Sequence, residues 1–129
     1  MHSDARSVTG PFTRLVGHRG TCTVRWPTLL LLPKGQGWPV RILAGAEPVR
    51  VLTGSACRIV VGADGGDVWT AVHDVVEAII DGRAEEYFGE GGPEPLASIG
   101  YRVWGPSGER RALDDESAVV AVHRAPAWG

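Results

Sequence analysis

Three things that would narrow a function at once are scarce in this chain: long apolar runs, cysteine and lysine. Runs such as Leu29–Leu32 fall far short of the ~20 apolar residues a membrane helix needs. The opening, M-H-S-D-A-R-S-V-T-G, lacks the apolar core of a secretory leader. A cytoplasmic, soluble protein with no membrane partner is the expectation. Cys22 and Cys57 are too few and too far apart for a zinc motif, and two cysteines make no disulfide framework. Both are read as small buried or half-buried thiols. A single lysine and a net charge of −2 argue against a nucleic-acid partner, which calls for a basic surface.

What is present suits one compact domain. The 129 residues are 43% apolar, enough for a core. Eighteen glycines and nine prolines imply many turns between short elements. Residues 1–20 scatter their apolar positions and read as a flexible N-terminal arm, leaving 21–129 as the domain. Thr21–Leu32, Val40–Leu43, Val49–Leu52 and Cys57–Val61 are rich in Val, Ile and Leu and are separated by turn residues, as in an antiparallel meander. Pro27 places an edge or bulge within the first, because proline cannot donate to a ladder.

Asp67–Asp81 carries the helical signature. Val68, Trp69, Val72, Val75, Val76, Ile79 and Ile80 recur at helical spacing as one stripe. Asp67 is placed as N-cap and Gly82 as terminator. After a loop at Glu90–Pro95, Ser98–Trp104 and Ala118–His123 read as closing strands, joined by a polar connection. The fold class is therefore α+β: a mostly antiparallel sheet in the order β-β-β-β-α-β-β, with one amphipathic helix on one face.

The stretch V-V-G-A-D-G-G-D-V (60–68) resembles a phosphate loop and fails the test. Gly62, Gly65 and Gly66 do not fit G-x-G-x-x-G, and the lysine of a P-loop is missing. Asp64 and Asp67 put negative charge where a phosphate would sit, and two carboxylates fall short of a calcium site. The stretch reads as a strand-to-helix turn, and no cofactor or metal is implied. His73 and Glu77 are four apart on the polar side of the helix, a place for solvated groups. With no G-x-S-x-G elbow and no recognisable cysteine nucleophile, no catalytic residue can be assigned and a non-catalytic role is favoured.

The charges are sorted along the chain. Residues 1–62 hold eight basic side chains against two acids, a net of +6, and 63–129 hold five against thirteen, a net of −8. Arg25, Arg41, Arg50, Arg58 and Arg102 each stand between apolar neighbours, as in P-V-R-V-L. On strands that alternation aims the apolar residues inward and the arginines outward, onto a sheet face the helix leaves open. Trp104 shares the face of Arg102, and arginine with tryptophan is the pairing binding hot spots favour. The acids Asp74, Glu77, Asp81, Glu85, Glu86, Glu90 and Glu94 gather along the outer helix face and beyond it.

Three functions follow as expectations. The first is a protein-interaction module that binds an acidic partner, or its own copy, through Arg41, Arg50, Arg58, Arg102 and Trp104. The second is an inhibitor-type protein whose acidic face, Asp74, Glu77, Asp81 and Glu85, meets a basic partner. The third is a small enzyme or ligand binder with a pocket near the helix start, using Asp64, His73 and Glu77.

Overall fold

The computed structural model describes residues 5–45, 47–62, 67–91 and 94–129. Its element order is α1 (Ala5–Val16), β1 (Gly20–Arg25), β2 (Thr28–Pro33), β3 (Val40–Leu43), β4 (Val49–Thr53), β5 (Cys57–Val61), α2 (Val68–Ile80), β6 (Ala84–Gly91), β7 (Glu94–Gly105), β8 (Gly108–Leu113) and β9 (Val119–Arg124). The fold is α+β and its strand pairs are antiparallel. In place of one sheet there are two: β1-β2-β3-β4-β5, a plain meander, and β8-β7-β6-β9. The connection through α2 is where the chain leaves the first sheet for the second.

The meander follows from alternation. β3 and β5 bury every second residue, so Val40, Ile42, Cys57, Ile59 and Val61 face inward. Pro27 sits in the turn of the β1–β2 hairpin rather than on an edge or bulge, splitting the expected Thr21–Leu32 strand in two. A turn tolerates proline because no ladder donor is needed there.

Helix α2 forms as its periodicity demands. Val72, Val75, Val76, Ile79 and Ile80 are buried against the inner face of the first sheet, and Val103 of β7 packs on the same cluster. The Asp67 side chain accepts from the Trp69 amide at 3.1 Å, and Gly82 takes a left-handed φ of 77° just past the helix end. Both ends are satisfied by the residues the sequence put there.

At the N-terminus the expected loose arm is instead helix α1, packed on β1 and α2. Val8, Phe12, Leu15 and Val16 share one face, and Phe12 and Val16 are each 1% exposed. Burying a side chain of this kind is worth roughly 1.5–3 kcal/mol, which offsets the amide lost at Pro11 inside the helix. The C-terminal tail closes the same core. Trp128 is buried, its indole N–H donates to the Trp38 carbonyl at 3.1 Å, and its amide donates to Ile80 at 2.8 Å.

Two strands were not foreseen. β6 occupies the acidic segment and the start of the expected loop, and β8 the expected polar connection. They frame β7, which is longer than the expected Ser98–Trp104.

Candidate functional site

On the outer face of the first sheet, register fixes which side chains meet. Leu30 pairs with Arg41, Arg41 with Leu52, and Leu52 with Arg58, forming one row across four strands. The next row runs Arg25, Thr28, Leu43, Arg50 and Val60. Leu52 is thus flanked by Arg41 and Arg58, each one strand spacing of about 5 Å away. Arg50 is the diagonal neighbour of both. Arg41 and Arg58 are exposed, while Arg50, on an inner strand, is half-buried. A groove of about 530 Å³ follows Leu30, Arg41, Leu52 and Arg58 and is rimmed by Pro39 and the Thr53–Ala56 turn. Among the described residues, none of Arg25, Arg41, Arg50 and Arg58 takes part in an ion pair or side-chain hydrogen bond.

Arg102 is the exception among the five arginines. It lies on β7 of the second sheet, so the expected single arginine face is divided. Arg102 pairs with Glu109 at 3.1 Å and lies over the Trp104 ring, with its guanidinium carbon 4.5 Å from the ring centroid. Arg124 of β9 covers the same ring at 5.2 Å. Trp104 does share the face of Arg102, as alternation required. Trp104 is half-buried and stacks with two cations, each worth roughly 0.5–1 kcal/mol even at an exposed site, so this tryptophan is already engaged.

The acids are dispersed and largely spoken for. Asp81 pairs with Arg19 at 3.6 Å and Arg83 at 3.5 Å. Asp74 accepts from the Ser107 hydroxyl at 3.0 Å. Glu85 belongs to β6 rather than to the helix face, and accepts from the Tyr87 hydroxyl at 3.1 Å. Glu77 lines a cleft of about 380 Å³ between α2 and the β7–β8 turn, together with Asp74, Arg83, Glu109 and Arg110. His73 instead stacks against Phe12 of α1 at 5.7 Å, because the segment expected to be loose covers that part of the helix. Asp64, the third group of the proposed pocket, lies outside the described residues, as does most of the glycine loop.

Sequence reasoning missed Glu86. It was placed among solvated acids and is 1% exposed. Its Oε1 accepts from the Ser55 amide at 2.8 Å, and its Oε2 from the Ala56 amide at 2.9 Å and the Ser98 hydroxyl at 2.6 Å. A carboxylate with three donors can be buried without being left unpaired. It clamps the β4–β5 turn, which rims the arginine groove, onto the second sheet. Gly54 of that turn has a φ of 60°, and a Cβ there would stand 2.8 Å from Oε1. Burial, and then the Glu86 charge and hydrogen bond, hold the Cys57 thiol far above its ordinary value. Cys57 is therefore a poor nucleophile in the folded protein. The signal for Glu86 was present in E-E-Y-F, where alternation across a strand puts adjacent glutamates on opposite faces.

No protein-family model, curated protein or solved structure matches the chain.

Proposed function

We propose that the protein is a non-catalytic interaction module whose working surface is the outer face of the first sheet, and that its partner is a protein surface carrying acidic and apolar side chains together. One observation carries this reading: Arg41, Arg50 and Arg58 surround Leu52 with no internal acid engaged to them among the described residues. Arg102, Arg111, Arg19 and Arg83 each have a carboxylate partner among the described residues, and these three do not. Three like charges held together repel one another, and a partner's acids relieve that repulsion. The leucines between them supply apolar area that charge alone would not. The acidic surface is the weaker candidate, because Asp74, Asp81 and Glu85 already have partners within the fold.

The test is calorimetric titration with a synthetic peptide in which glutamate and leucine alternate. Binding that weakens on the order of tenfold in Arg50→Glu is the expected result, since reversal removes an attraction and adds a repulsion. It should also weaken as salt rises, because exposed charges are screened beyond a Debye length of about 8–10 Å near physiological salt. Binding equal in the wild type and in an Arg41→Glu/Arg50→Glu/Arg58→Glu variant would contradict the reading.

A further inference from the structure

β9 is an edge strand of the second sheet, and an uncovered edge presents unpaired backbone donors and acceptors. Its middle carries Val120 at 61% and Val122 at 51% exposure, the highest among the large apolar side chains described. The other edges are guarded differently. β8 carries Glu109, Arg110 and Arg111; β1 exposes Thr21, Thr23 and Arg25; β5 exposes Arg58 beside Val60. Charge on an edge discourages pairing, and the centre of β9 carries none.

We propose that β9 pairs antiparallel with β9 of a second copy of this chain, joining the two four-stranded sheets into one of eight strands about a two-fold axis at Ala121. Two arguments on the strand itself select that arrangement. The first is parity. Val120, Val122 and Arg124 alternate with Val119, Ala121 and His123, and residues directly opposite in a ladder share a face. Only registers centred on a residue keep like faces together. The one centred on Ala121 sets Val120 of each copy against Val122 of the other, so both exposed valines are covered twice over.

The second argument is charge. The strand ends in His123 and Arg124, and Asp114 and Asp115 lie four to five residues before its first residue, Val119, on the same side of it as Glu116, which is paired to Arg111. Antiparallel pairing sets His123 and Arg124 of one copy opposite Val119 and Ala118 of the other, at the end of the strand that Asp114 and Asp115 lead into, whereas a parallel pair would set like against like. An isologous pair of this kind closes on itself and does not propagate into a fibre. The surface lies on a different sheet from the arginine groove, so the two are independent.

Sedimentation equilibrium across about 10–500 µM protein, which brackets dissociation constants corresponding to roughly 5–7 kcal/mol of binding free energy, tests this. The mass should rise from 13.7 kDa towards twice that value in the wild type and in Arg50→Glu. It should stay at the lower value in Val122→Lys, whose side chain points to solvent in the monomer. Amide exchange supplies a readout that needs no variant: protection should increase with concentration in β9 and not in β1, β5 or β8. A wild-type protein monomeric throughout, a dimer that survives Val122→Lys, or dimerisation without slower exchange in β9 would each overturn the proposal.

Discussion

Arg50 and Val51 are chain neighbours on β4 with opposite surroundings. Val51 is fully buried while Arg50 lies half-buried on the outer face, its stem among Leu43, Leu52 and Val60. Arg50→Glu should therefore cost no more than about 1 kcal/mol, the packing of a long stem being most of the loss. Val51→Asp should cost more than about 3 kcal/mol, since it places an unpaired carboxylate in the core. Thermal melts of the two variants check this, and comparable losses would mean that Arg50 is a core residue. Glu86 gives the converse case at the same scale. Glu86→Ala strands the Ser55 and Ala56 amides and the Ser98 hydroxyl, and should lower unfolding free energy by about 2–4 kcal/mol in denaturant titrations. A loss below about 0.5 kcal/mol would show that water takes over these donors readily. Alternation in E-E-Y-F separates Glu86 from Glu85, but burial of a glutamate is made tolerable by its three donors, which are 12 to 31 residues away and outside any local signal.

At the scale of elements, what could be read depended on whether the determining signal was local. Helix α2 was legible at both ends, since stripe, N-cap and terminating glycine lie within one continuous stretch. Asp67→Ala should remove about 1 kcal/mol by freeing the Trp69 amide, measured as a fall in melting temperature with the helical signal retained below the transition. An unchanged melt would mean that this cap is redundant. β3 and β5 matched their alternation to the residue. Helix α1 is not legible although Val8, Phe12, Leu15 and Val16 stand at helical spacing, because its apolar positions read as scattered among polar residues, and Pro11 lies in its middle. Tertiary burial of Phe12 and Val16 overrode that local preference. β8 was missed for the opposite reason. G-E-R-R-A-L on a polar edge has little to bury, so no apolar alternation announces it. The arginines at 41, 50 and 58 could be assigned a direction from their neighbours, but not a distance from one another. Pairing partners are set by turns and register, and the break between sheets at α2 removed Arg102 from the set.

At the scale of the whole molecule, the halves of opposite charge correspond in large part to the two sheets, with α2 between them. Stability should fall on the alkaline side for a specific reason. Cys57, Cys22, Tyr87 and Tyr101 are all pushed up, chiefly by burial, from ordinary values of 9.0 for the thiols and 10.0 for the phenols. A group raised on folding keeps its proton in the native state and loses it in the unfolded chain. Its contribution is therefore complete below the unfolded value and is lost as pH rises above it. Unfolding free energy should decline above about pH 9 by up to about 1.4 kcal/mol per pH unit for each fully protected group. Cys57→Ala should make that decline shallower, and an unchanged slope in denaturant titrations between pH 8 and 10 would show that Cys57 is not the protected thiol.

The central claim is that the open face of the first sheet is a docking surface and not merely a solvated one. Amide chemical-shift mapping, with the alternating glutamate–leucine peptide titrated into labelled protein, tests it most directly. The account predicts saturable shifts concentrated at Arg41, Arg50, Leu52, Arg58 and the Thr53–Ala56 turn, abolished in the triple arginine-to-glutamate variant. Shifts centred on α2 or the second sheet, or none at millimolar peptide, would contradict it.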